Sequence, residues 1–110
     1  VKVEYIYGKP ASGKTLEIIL NVKDNDLIIV NDIQHKNLFK RALMDIYPLI
    51  TYRISETHGK YFNTIYIDDA EQFDISRILS QIKDLNFPNK ELFVKIYFRI
   101  PCENFTVRKI

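Results

Sequence analysis

A chain of 110 residues with 46% apolar and 27% charged residues predicts one globular domain, residues 1–110, with one core. Its net charge of +2 is too weak a field to announce nucleic-acid binding, so any such contact needs a local patch. The single cysteine, Cys102, excludes an internal disulfide and a cysteine-built metal site, and no apolar run approaches the roughly 20 residues that cross a bilayer.

The first stretch, VKVEYIYG, has no basic segment followed by a long apolar run. It reads as a strand over Val3 to Tyr7, not as a secretory signal, and the expectation is a cytoplasmic protein (host cytoplasm if the chain is viral). Lys14 to Val22 carries Leu16, Ile18, Ile19 and Val22 and predicts a short helix. Lys23 to Asp26 is a polar turn, and Leu27-Ile28-Ile29-Val30 is a strand covered on both faces. Asn31 or Asp32 caps a second helix with Leu38, Phe39, Ala42, Leu43, Ile46 and Tyr47 at helical spacing, stopped by Pro48. Ile50 to Ile54 is a short strand, ETHG a turn, and Tyr61 to Ile67 a second apolar strand ending at Asp68-Asp69. Asp74 caps a third helix with Ile75, Ile78, Leu79, Ile82 and Leu85 on one side, broken at Pro88-Asn89-Lys90. Leu92 to Ile100 is a long strand, and Phe105 to Lys109 one more. The alternation predicts an α/β three-layer sandwich with a mainly parallel sheet. The pairs without a helix between them, 50–54 with 61–67 and 92–100 with 105–109, predict short antiparallel edge strands.

Two of the three glycines fall in GKPASGKT, residues 8 to 15. The spacing fits G-x-x-x-x-G-K-[ST], a phosphate-binding P-loop, and it follows a strand and opens a helix as that loop must. Gly8, Lys9, Pro10, Ala11, Ser12, Gly13, Lys14 and Thr15 are expected to frame a phosphate at a helix N-terminus through their backbone N–H groups, Pro10 stiffening the turn without donating. Lys14 would neutralise the phosphates and Thr15 would hold Mg²⁺. A downstream carboxylate at the tip of an apolar strand completes such a site. TIYIDDAEQF supplies it, a Walker B pattern with Asp68 as the metal residue. Asp69 is the first candidate for positioning an attacking water and Glu71 the second. The predicted ligands are therefore a nucleoside triphosphate and Mg²⁺.

With both motifs in hand, residues 3 to 100 resemble the P-loop NTPases, in the ATPase division with an additional strand between the P-loop strand and the Walker B strand. Within it the chain looks most like a reduced superfamily 1 helicase-type motor domain. IIVNDIQHKNLFKRAL stands where those helicases carry motif Ia, a DNA-contacting strand and helix, and IDDAEQF stands at their DExQ box. The same box is similar to that of viral DNA-packaging terminases. FRIPCENF departs from the Gly-Asp-x-x-Gln element of the helicases, and 110 residues hold no second motor domain. The resemblance implies ATP turnover coupled to a DNA transaction, with an ATP-gated binding module of little hydrolysis as the alternative. Type-II thymidine kinases are a rival likeness, since their Walker B is similar to DDAEQF, but their zinc-held lasso takes paired cysteines.

Lys36, Lys40 and Arg41 on the second helix are the candidate DNA contacts under that resemblance, against the plainer reading of a solvated face. Arg53, His58 and Lys60 form a second small basic group, and Arg99 stands where such ATPases place a γ-phosphate sensor. His35 and His58 read as isolated and not as metal ligands. The seven tyrosines read mostly as core or interface. A final hairpin with Phe98, Ile100, Phe105 and Val107 is apolar enough for a protein contact, which predicts a homo-oligomer or a larger protein partner.

Overall fold

The computed structural model describes residues 1–57, 59–85, 91–100 and 107–110. The chain runs β1 (Lys2–Tyr7), α1 (Lys14–Asn21), β2 (Leu27–Ile29), α2 (Ile33–Ala42), β3 (Leu49–Thr51), a 3-10 turn (Ile54–Thr57), β4 (Thr64–Ile67), a second 3-10 turn (Ala70–Gln72), α3 (Ile75–Leu85), β5 (Phe93–Phe98) and β6 (Val107–Lys109). His58, the break at Pro88-Asn89-Lys90, Cys102 and Phe105 lie outside the described residues.

The strands form one six-stranded sheet in the order β3-β2-β4-β5-β1-β6. Every neighbouring pair is parallel, with Val3 opposite Val94 and Ile28 opposite Tyr66. The strand side chains alternate between the two faces. Ile6, Ile28, Tyr66 and Tyr97 join Ile18 and Val22 of α1 and Phe39 of α2 in one apolar cluster. Ile29, Ile65, Ile67, Val94 and Ile96 join Ile82 in a second, against which Ile75, Ile78 and Leu79 of α3 pack. Both faces of β2 and β4 are thus covered, which is why their sequences are continuously apolar. Each fully buried isoleucine contributes about 1.5–3 kcal/mol.

Local signals match where they are strong. Asp32 is the cap of α2, its Oδ1 accepting from His35 N at 2.8 Å, and Asp74 Oδ1 accepts from Arg77 N at 3.2 Å at the start of α3. The second helix is shorter than expected. Leu43 is extended (φ −98°, ψ 90°) and buried, so α2 closes at Ala42 and leaves Ile46 and Tyr47 beyond it, well before Pro48.

The edges correct the sequence reading. No strand pair among the described residues is antiparallel. Both sides of β4 are taken by β2 and β5, so β3 can only pair at the free side of β2. Both sides of β5 are taken by β4 and β1, so β6 lies against β1 and there is no β5–β6 hairpin. Between β3 and β4 the chain folds a 3-10 turn over Ile54–Thr57 in place of a tight reversal. No described helix is long and apolar enough to cross a membrane.

Candidate functional site

The carboxyl ends of β1 and β4 meet above the sheet, with the end of β5 between them. Gly8 N donates to Phe98 O at 3.0 Å and fixes the start of the loop to the end of β5. Ala11 (φ 63°) and Gly13 (φ 97°) adopt left-handed backbone, which turns the loop back onto the axis of α1. Gly13 can do so without strain; Ala11 cannot, at a cost of about 1–2 kcal/mol. Gly8 is required for space. A Cβ there would overlap Ser12 Oγ and lie 2.9 Å from Lys14 Cγ.

Helix α1 begins at Lys14 with no side-chain cap, so its first N–H groups lack intrahelical acceptors and the positive end of its dipole faces the loop. Ser12 Oγ is enclosed and has no hydrogen-bond partner among the described residues. Lys14 is 7% exposed. Its Nζ donates to Gly8 O at 2.7 Å and Lys9 O at 2.8 Å, and among the described residues no carboxylate lies within ion-pair distance of it. A buried ammonium held only by carbonyls is a costly arrangement that an anion would relieve.

Asp68 is 2% exposed at the tip of β4. Its Oδ2 accepts from Thr15 Oγ1 at 2.9 Å, and its Oδ1 accepts from Asp69 N at 3.0 Å. The structure therefore brings together Lys14, Thr15 and Asp68, distant in sequence, at one cavity of about 440 Å³ that Pro10, Ala11, Ser12, Gly13, Asp69 and Arg99 also line. Asp69 is in left-handed backbone (φ 51°, ψ 54°), a strained position for a residue with a Cβ. Glu71 is not brought into this cavity. Its carboxylate accepts from Arg99 N at 2.9 and 3.2 Å, and the residue faces a separate groove with Phe73, Ile75 and Ile100.

Sequence reading missed His35. The first turn of α2 places its Nε2 3.1 Å from Asp68 Oδ2, while its Nδ1 lies 2.8 Å from Asn31 Oδ1 and its ring packs on Phe39 with centroids 5.3 Å apart. Burial lowers its pKa, but the hydrogen bond to Asp68 and the charges of Asp68, Asp69 and Asp32 outweigh that, and the net shift is upward. The signal available was the place of His35 one turn beyond a strand that neighbours β4; no local pattern carries it.

The donor set suits a hard divalent cation that shares its coordination with phosphate and water. Thr15 Oγ1 and Asp68 are adjacent oxygens, and Mg²⁺ takes only one or two protein ligands in such sites. Among the described residues no group of three or more His, Cys, Asp or Glu side chains could hold a metal on its own. Of the candidate DNA contacts, Lys40 and Arg41 are exposed and Lys36 is half-buried; Lys36 and Lys40 line a groove of about 440 Å³ with Tyr47 and Pro48 at the β3 edge. Arg53 lies over the Tyr52 ring, 5.4 Å from its centroid, and Lys60 is exposed. Comparison with protein-family models, with curated proteins and with solved structures found no match to this chain.

Proposed function

We propose that this chain is a Mg²⁺-dependent ATP-binding domain of the P-loop ATPase kind, a three-layer sandwich whose nucleotide turnover serves a DNA transaction, with a larger protein or a second copy as partner. The observation that carries the reading is the buried Lys14 ammonium, with no counter-ion among the described residues, set beside the Thr15–Asp68 pair and the uncapped start of α1. These are groups a triphosphate would complete: an enclosed cation, a free hydroxyl at Ser12 and helix N–H donors around one cavity. The strand order gives the same support, since β5 lies between β1 and β4. When bound, Mg²⁺ supplies charge neutralisation to the phosphates. Thr15 and Asp68 would hold it, Lys14 would bind the phosphate oxygens, and Asp69 would orient water.

The DNA part rests on the resemblance and on the basic residues of α2. A second reading, an ATP-gated binding module that hardly hydrolyses, is favoured by Glu71. Its carboxylate is occupied by the Arg99 amide and leaves Asp69, among the described residues, as the one acidic group lining the cavity besides Asp68.

Titration of a fluorescent ATP analogue against the native protein and Lys14→Ala tests the common core of both. Saturable, Mg²⁺-dependent binding is expected, weakened at least tenfold in the variant, as loss of a charged hydrogen bond of about 1.5–3 kcal/mol implies. Equal binding by the two proteins, or none by either, would overturn the proposal. Steady-state phosphate release with and without single-stranded DNA then separates the ATPase from the module.

A further inference from the structure

Helix α2 reaches the tip of β4 beside the cavity through His35. His35 Nε2 shares Asp68 Oδ2 with Thr15 Oγ1. A carboxylate only accepts, so Nε2 carries a hydrogen in this contact. One carboxylate oxygen offers about two lone-pair directions, and on Oδ2 both are taken. Oδ1 is engaged by Asp69 N. The oxygen that lies against Thr15 is therefore saturated before any cation arrives.

We propose that the His35–Asp68 hydrogen bond is a latch, exchanged when a divalent cation is taken up beside Thr15, so that α2 is the element that responds to Mg²⁺-nucleotide. The inference rests on the nucleotide-binding reading above and adds to it the residue that links the site to the rest of the molecule. A cation drawing on Oδ2 and an N–H pointing at the same oxygen repel each other, and the N–H has to leave. The imidazole is not free to leave alone. Asp32 holds its backbone N, Asn31 holds Nδ1, and Phe39, itself fully buried, packs on the ring. Release therefore shifts the first turn of α2, and with it the surface that carries Lys36, Lys40 and Arg41. By reciprocity, whatever binds that surface and favours one position of α2 changes the affinity for Mg²⁺-nucleotide by the same factor.

The chain has two histidines, so a protein labelled with ¹⁵N-histidine gives imidazole signals from His35 and His58 alone, assigned by His35→Gln. At fixed pH, a non-hydrolysable ATP analogue with Mg²⁺ is expected to shift the His35 Nε2 signal and the α2 amides together with the amides of residues 8–15. The same analogue in EDTA is expected to shift only the loop. Movement of the loop amides with His35 and α2 unmoved overturns the latch and leaves nucleotide binding intact, as does an equal His35 shift without Mg²⁺. Loop amides that never respond overturn both. In a second measurement, His35→Leu is expected to lower the Mg²⁺ concentration for half-saturation roughly tenfold, the scale of a hydrogen bond to a charged group. His35→Gln, which keeps a donor, is expected to stay near the native value. An unchanged midpoint in His35→Leu also overturns the latch.

Discussion

The two ends of the sheet each carry a cavity of similar size, and they differ in what their polar groups are doing. At the amino ends of the strands, about 480 Å³ is bounded by Lys2, Glu4, Thr64, Phe93 and Lys95. Lys2 there is 68% exposed and pairs with exposed Glu91 at 2.7 Å. Nearby Asp26 is buried but satisfied, its carboxylate accepting from Lys23 N at 2.9 Å and Thr64 N at 3.1 Å; burial pushes its pKa up against those hydrogen bonds. These groups tie strand starts together, and among the described residues no buried side-chain polar atom at this end lacks a partner. At the carboxyl ends, about 440 Å³ is bounded by a buried cation and a buried hydroxyl that have no counter-ion and no hydrogen-bond partner, respectively, among the described residues, an uncapped helix and two strained residues, Ala11 and Asp69. Volume does not distinguish the ends. Unrelieved electrostatics and backbone strain do.

That contrast predicts opposite consequences for mutations at the two ends. The largest is expected from Gly8→Ala. Its methyl would overlap Ser12 Oγ and crowd Lys14, and overpacking of this kind costs about 1–3 kcal/mol. Nucleotide affinity should fall roughly ten- to hundredfold in the fluorescent titration. If affinity is retained, the loop geometry is not what holds the ligand, and the distinction between the ends loses its basis. Asp26→Ala should do the reverse. It leaves the half-buried Thr64 N–H without its acceptor and should cost about 1–3 kcal/mol in denaturant unfolding, with nucleotide affinity unchanged. A coupled loss of affinity would show that the amino end is not purely structural.

The smallest effect sharpens the boundary between them. Arg108 of β6 donates to Glu17 of α1, and also to Glu4 at 3.4 Å, while Tyr97 Oη donates to Glu17 Oε1 at 3.1 Å. The Arg108 hydrogen bond holds the Glu17 carboxyl below its ordinary 4.5, against a partial burial that raises it. A depressed folded pKa gives stability that is present above 4.5 and lost as pH falls through the lower folded value. Glu17→Gln should therefore lower the thermal midpoint slightly at neutral pH and lose part of its acid sensitivity below 4.5. A native-like acid limb in the variant would mean the Glu17–Arg108 contact contributes nothing to docking β6.

The sequence by itself determined what is local. Gly8 and Gly13 around a four-residue turn, the cap at Asp32 and the apolar runs at 27–30 and 64–67 each set their own conformation within a few bonds, through steric freedom, capping and burial on both faces. The convergence of Lys14, Thr15 and Asp68 was legible for the same reason: a loop and a strand tip in one parallel sheet have few ways to meet. Only the tertiary structure decided the rest. Edge strands β3 and β6 are parallel because the central strands had no free side to offer them, a fact about pairing partners that no window of sequence contains. Glu71 turned to the Arg99 amide and His35 turned to Asp68 across 28 and 33 residues of chain. A hydrogen bond between distant positions is fixed by where the strands carry its ends, and that is settled by packing, not by propensity.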